Sequence, residues 1–310
     1  MNLGFDSPVA DGGYRWWYVD ALSADGKNGL TVIAFLGSVF SPFYARARRR
    51  GGADPLRHCA INVALYGRAG RRWTLTERGP TGVERSRDAL VIGRSRLTWD
   101  GRALVLDLDE VGAPLPRRVR GRVKVVPTVP AHRPFALDEP GRHRWNPIGP
   151  VARVETEFDA PDVSWTGSGY LDSNDGDEPL ENAFVGWNWS RARVDRGTVV
   201  AYDVRRRDGT ALALGVFVDE AGQSSRLVLP AAREVGSTLW GIARSVRSEP
   251  GCVPHVSRTL EDTPFYARSL VETRLMGETV DAVHESLSLD RFRSAWVQWM
   301  LPFRMGRNAR

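Results

Sequence analysis

Turn-forming residues punctuate this chain at hairpin spacing along most of its length, and that spacing constrains the fold more than any other feature. Residues 14–22 and the apolar run 30–36 flank Ala24-Asp25-Gly26-Lys27-Asn28-Gly29. Residues 58–66 and 71–77 flank Gly67-Arg68-Ala69-Gly70, and 96–99 and 103–108 flank Asp100-Gly101. Asp-Gly between two such runs is a strong hairpin signal, because both residues tolerate positive φ. Residues 117–126 alternate Val with Arg and Lys, the period of a half-exposed strand. The pattern continues at 153–158 and 164–171. It resumes at 184–194, 198–206 and 210–218 (around Asp208-Gly209), 224–229, 236–246, 269–275 and 279–287. The expected class is all-β.

Three stretches depart from that grammar. Six prolines (127, 130, 134, 140, 147 and 150) predict a long irregular loop that delivers His143 and Trp145. The acidic segment 172–182 reads as a turn and a domain boundary, giving domains 1–178 and 182–310. Residues 291–310 form the one expected helix, a short C-terminal tail: Phe292, Trp296, Trp299 and Phe303 recur at helical spacing, bracketed by Arg291, Arg293, Arg304, Arg307 and Arg310. Such a tail either seals a barrel or lies in a lipid headgroup region, with Pro302 limiting its helical length.

Charge and cysteine content bound the partners and the compartment. Of 43 basic residues only Lys27 and Lys124 are Lys, and the net charge of +6 suits an acidic partner. No basic helix or RNA-binding aromatic signature is present, so nucleic acid is not expected and anionic lipid is preferred. Two cysteines, Cys59 and Cys252, are too few for a disulfide framework, and residues 1–10 lack a signal peptide's apolar segment. A cytoplasmic protein is expected. The longest uncharged run, 29–45, is broken by Gly37, Ser38, Ser41 and Pro42 and falls short of about 20 apolar residues, so no spanning helix is predicted. Within 37–50, Phe40, Phe43 and Tyr44 followed by arginines read either as a loop over a barrel end or as a hydrophobic lip admitting a lipid-like substrate.

Chemistry concentrates between His143 and Trp189. Tyr170 and Asp172 are two apart and should share a strand face, as should His143 and Trp145 if that segment is extended. Trp165, Trp187 and Trp189 lie nearby in sequence. An acid, a base and aromatic walls suit chemistry through a carbocation: the acid donates a proton, the rings stabilise the cation, the His handles water. Strand aromatics are, however, usually core, and Asp before Ser-Asn-Asp-Gly is usually a turn former. The five His residues and two Cys have no metal-ligand spacing, so no metal is expected, and no phosphate-cradling glycine loop is present. His58 beside Cys59 reads as structural, since adjacent strand residues face opposite ways.

HRWNPIGP, then W-x-G-x-G-Y-L-D-x-N-x-G, then GWNWSRA resemble the carotenoid 1,2-hydratase (hydroxyneurosporene synthase) family. Residues 16–48 and VQWMLPFRM near the C-terminus resemble it too. The resemblance implies two lipocalin-like β-barrel domains packed together and addition of water to the terminal 1,2 double bond of acyclic carotenoids such as neurosporene or lycopene, without a cofactor. It puts catalytic roles on Asp172, His143, Tyr170 and Trp145. Substrate contacts are then expected from Trp165, Trp187, Trp189, Phe40, Phe43 and Tyr44, with peripheral attachment on the cytoplasmic side of a membrane. Two other classes stay open: a cyclisation catalyst on the same scaffold, and a non-catalytic carrier of hydrophobic ligands.

Overall fold

The computed structural model describes residues 3–67, 71–128 and 134–308. Pro130, His132, the turn at 68–70 and Arg310 lie outside them. The chain divides into two units: Met1–Pro179 with Trp299–Arg310, and Leu180–Gln298.

The first unit runs β1 (Tyr14–Ser23), β2 (Gly29–Leu36), α1 (Pro42–Arg49), β3 (Cys59–Tyr66), β4 (Arg72–Arg78), β5 (Val83–Arg85), β6 (Ala89–Ile92), β7 (Ser95–Trp99), β8 (Leu104–Val111), β9 (Arg118–Pro127), β10 (Phe135–Ala136), β11 (His143–Ala160) and β12 (Asp162–Gly176). These strands lie in one sheet in which β12 pairs antiparallel with both β1 and β11. Period-two alternation gives the sheet two characters. One face carries Trp17, Val19, Leu30, Val32, Ile61, Val63 and Leu171, which pack with Leu90, Leu104, Leu106, Val123 and Val154 into a buried apolar core. Each such side chain stabilises the fold by roughly 1.5–3 kcal/mol relative to exposure. The other face of β1 and β12 presents Tyr14, Trp16, Tyr18, Asp20, Tyr170 and Asp172, all buried despite their polarity.

Three expectations give way here. His143 and Trp145 sit on β11, not on a loop; Pro147 and Pro150 are absorbed by register shifts between Pro147, Gly149 and Ala152. A bulged strand accommodates the missing N–H donors that a regular one could not. Residues 172–176 continue β12 rather than turning, because pairing with strands on both sides overrides the turn preference of Asp, Ser and Asn. Residues 42–49 are a helix rather than a loop. Ser41 caps it, accepting from the Phe43 and Tyr44 amides, and Pro42 occupies the first turn, where it needs no donor.

The second unit opens with α2 (Leu180–Ala183). It continues through β13 (Phe184–Val194), β14 (Gly197–Arg206), β15 (Ala211–Asp219), β16 (Ser224–Arg226), β17 (Ala232–Ser237), β18 (Ala243–Arg247), β19 (His255–Asp262), β20 (Tyr266–Leu275) and β21 (Glu278–Ser288). Seven of these form a sheet ordered β16-β15-β14-β13-β21-β20-β19, and β17 pairs with β18. The run 236–246 is thus a hairpin around Gly241 (φ 75°) rather than one strand. Strand β19 was not anticipated at all.

The tail is not one helix. It comprises α3 (Leu289–Arg293), α4 (Ala295–Met300), a 3-10 turn at Leu301–Phe303 and β22 (Gly306–Asn308), which pairs parallel with β4. Extended backbone at Ser294 breaks the helical run. Its aromatics consequently face different surroundings: Phe292 is buried, whereas Trp299 is 71% and Phe303 61% exposed.

Candidate active site

Three strands build the site. In register, Asp172 of β12 lies between Tyr18 of β1 and Pro147 of β11, and Asn174 between Trp16 and Trp145. Gly176 lies between Tyr14 and His143 in the same way. Asp172 is 3% exposed. Its Oδ2 accepts from Trp145 Nε1 at 2.7 Å and from the Tyr170 hydroxyl at 2.8 Å; Asn174 Nδ2 reaches Oδ1 at only 3.4 Å. Removing a donor from a carboxyl group buried in this way costs about 1–3 kcal/mol. Burial, then the neighbouring Asp172, pushes the Tyr170 phenol well above its usual range, so it remains a donor. The Trp145 ring stacks on Phe135 at 5.4 Å.

His143 occupies the far end of the same row. Its Nδ1 is hydrogen-bonded to the Tyr14 hydroxyl at 2.9 Å, Nε2 lies 3.5 Å from Glu178 Oε1, and its amide donates to Asp138 Oδ1. Burial holds the imidazole below its ordinary range against the pull of Asp138 and Glu178, so it is neutral at pH 7. Gly176 makes the Tyr14–His143 contact feasible. A Cβ there would fall 2.4 Å from the Tyr14 ring and 2.7 Å from His143 Nδ1. By register His143 is four residues along β12 from Asp172, about 13 Å of strand.

Rings extend the row sideways. Tyr14 stacks on Trp16 at 4.9 Å, Trp16 meets Phe35 at 6.0 Å, and Phe35 meets Phe40 at 6.1 Å. Phe40 therefore connects to the site face through a chain of aromatics. Tyr44 does not join them: fully buried, it donates to the Gly13 carbonyl and meets the His58 ring at a tilt, 4.8 Å between centroids. Phe43 lies under Arg307 at 5.5 Å. Trp165 projects to the opposite face of β12 and packs against the apolar core. Trp187 and Trp189 belong to β13 of the second unit, where Trp187 meets Tyr202 edge-on. His58 bonds to Glu77 at 3.0 Å, and burial pushes the Cys59 thiol up to about 12, which makes it a poor nucleophile.

Sequence reasoning missed Tyr14, Trp16, Tyr18 and Asp20. Their two-residue spacing was the available signal, and Tyr18-x-Asp20 repeats Tyr170-x-Asp172. Among the described residues no cluster of three His, Cys, Asp or Glu could hold a metal ion.

A buried carboxyl held by an indole and a phenol, in a row of rings ending in a neutral imidazole, can donate a proton to an apolar substrate and shelter a cation. The family of carotenoid hydratase CrtC matches residues 32–310. The chain is 56% identical over 304 residues to the acyclic carotenoid 1,2-hydratase of Thiocapsa roseopersicina, spanning 98% of this chain and 75% of that protein. With the acyclic carotenoid 1,2-hydratase of Rubrivivax gelatinosus it shares 53% identity over 309 residues, 98% of this chain and 76% of the relative. In fold it is similar to the crystal structure of a protein assigned as AttH from Nitrosomonas europaea. There the TM-score is 0.61 at 16% identity, with 93% and 96% of the two chains covered. The chain belongs to the carotenoid hydratase family.

Proposed function

We propose that this protein adds water across the terminal C1=C2 double bond of acyclic carotenoids, with lycopene- and neurosporene-type ends as substrates. The observation that supports it is the buried Asp172 carboxyl clamped by Trp145 and Tyr170 on an aromatic face. Asp172 is the acid. Because Oδ2 already accepts from two donors, the proton sits on Oδ1 and passes to C2, leaving a tertiary cation at C1. Trp145 and Tyr170 stabilise that cation by about 2 kcal/mol, roughly thirtyfold in rate. His143, with Tyr14, stands at the far end of the row, where water enters. Hydration makes no net change of oxidation state, so the reaction calls for no redox cofactor. We read the two sheets as two lipocalin-like barrels.

Incubation of the purified protein with lycopene, with products separated by chromatography, tests the reading. Tertiary alcohols are expected. A cyclised product would assign a cyclisation catalyst, and carotenoid recovered unchanged from a stable complex would assign a carrier.

The substrate's insolubility calls for peripheral attachment at the cytoplasmic face of a membrane. Among the described residues no helix is long and apolar enough to cross one. Exposed Trp299 and Phe303 with Arg304 and Arg307 on the first unit support docking, as do Leu239 and Trp240 on the second. Arg304 packs over Trp73 and Arg307 pairs with Glu77, so deleting 304–310 would also disturb the fold. Trp299→Ser/Phe303→Ser is the cleaner test: binding to anionic liposomes should weaken with salt and again with this variant. Equal co-sedimentation in every condition would end the docking proposal.

A further inference from the structure

Resting on the hydratase reading, we infer that Asp20 is the general base of the reaction, the group that accepts the proton of the attacking water. The antiparallel β1–β12 register brings the two Tyr-x-Asp triplets face to face, with Tyr18 opposite Asp172 and Asp20 opposite Tyr170. Asp20 is thus the diagonal neighbour of Asp172 on the same face, about 7 Å away between Cβ atoms. His143 lies about 13 Å along the strand in the other direction. Both carboxyls are buried, Asp20 at 0% exposure. The Tyr18 hydroxyl donates to Asp20 Oδ2 at 3.4 Å, as the Tyr170 hydroxyl donates to Asp172 Oδ2 at 2.8 Å. The Tyr18 and Tyr170 rings meet edge-on at 6.1 Å between the two acids.

A second observation points to water. Thr31 of β2 lies directly opposite Asp20, and its Oγ1 is buried without a hydrogen-bond partner among the described residues. The same is true of Asn174 Oδ1, two residues from Asp172 on the same face. Buried polar atoms of this kind are ordinarily satisfied by protein or by water. A carboxylate beside a hydroxyl offers a water molecule an acceptor and a further partner.

The step balances without a co-reactant. Asp172 gives its proton to C2, so the C1=C2 π pair becomes the C2–H bond and C1 is left electron-deficient. A water lone pair forms the C1–O bond, and the oxonium proton passes to the Asp20 carboxylate, leaving a neutral tertiary alcohol. Asp20 then holds the proton that Asp172 lost, and its return through water restores both groups.

Deuterium separates the two half-reactions. In D2O, Asp172 delivers deuterium to C2, and a cation that fails to capture water loses H or D from C2 back to Asp172. Recovered lycopene then carries label at C2. Asp20→Asn should lower hydration by about 10²–10⁴-fold, the range for loss of a general base, while label exchange persists. Asp172→Asn should abolish both. Wild-type hydration in Asp20→Asn, or hydration and exchange falling in equal proportion, would overturn the assignment. If Asp20→Asn does not fold, Tyr18→Phe removes only the hydroxyl beside Asp20. A lowered hydration-to-exchange ratio is expected, and an unchanged ratio overturns the proposal. Wild-type protein that neither hydrates nor exchanges would instead refute the hydratase reading itself.

Discussion

Both units bury a row of polar side chains on their central strands, but the rows differ in content. In the first, two carboxyls, three phenols, two indoles and an imidazole share one face, and Asp172 holds its donors tightly. In the second, His284 is bonded through Nδ1 to Ser190 at 3.2 Å and through Nε2 to Ser286 at 3.1 Å. Ser286 donates to Asn188, and Arg244 donates to Thr259 and Ser269. Those bonds join hydroxyls, an amide, an imidazole and a cation. The first row sets carboxyls beside aromatic rings; the second is a hydrogen-bonded network of the kind that fixes a fold. A buried histidine alone therefore does not mark an active site. The company it keeps does.

Asp172→Asn gives the sharpest test of that contrast. It should lower hydration by about 10²–10⁴-fold with the fold intact, whereas Ser286→Ala should leave turnover unchanged. Comparable losses in single-turnover assays would dissolve the division of labour.

A pH titration tests the second row. Burial, reinforced by Arg244, lowers His284 to about 3. The unfolded chain binds this proton near pH 6.5 and the folded chain does not, so stability falls as pH drops from about 6.5 towards 3. By pH 5 the loss is on the order of 2 kcal/mol from this residue. His143 is lowered in the same direction and adds to it. Urea midpoints at pH 7.5 and 5 should therefore diverge in the wild type and diverge less in His284→Gln. An identical pH dependence in the two proteins would break the assignment.

Ring against hydroxyl comes next. Tyr170→Phe keeps the π face and loses one donor to Asp172, whereas Trp145→Ala loses both ring and donor. If cation stabilisation dominates, Trp145→Ala should lose about thirtyfold more activity than Tyr170→Phe. The reverse order would make the Tyr170 hydroxyl the important group. The smallest effect is expected from Tyr14→Phe, which removes one hydrogen bond to His143 worth about 1 kcal/mol. A modest fall in kcat, with the melting temperature lowered by only about 2–4 °C, would keep His143 on the water side of the reaction. A fall in melting temperature alone would make the pair structural.

Much of this site was readable from spacing. The two-residue separations of Tyr170 from Asp172 and His143 from Trp145 put each pair on one face, as found. The same arithmetic was available for Trp165, an odd number of residues from Tyr170 and so on the opposite face, but nearness in sequence grouped it with the site. Asp20 was hidden differently: it comes beside Asp172 only because β1 pairs with β12, a long-range contact that local pattern does not encode. The Ser41-Pro42 pair is ambiguous in principle, since the residues that break a strand also start a helix. Residues 172–176 carry turn chemistry, and only strands on both sides make them extend.

Because Gly306 pairs with Thr76, the outermost strand of the first unit is supplied after the whole second unit has been synthesised. Domains generally fold as they emerge from the ribosome, N-terminal first, at about 5–20 residues per second. The nascent first unit must therefore wait through the translation of Leu180–Gln298 with β4 as an open edge, a ready template for pairing with another chain. Contacts this distant in sequence also slow folding, since loop closure precedes the gain from pairing. In this chain the C-terminal strand is a late cap on an early sheet, and the interval before it arrives is when copies are most exposed to association through β4.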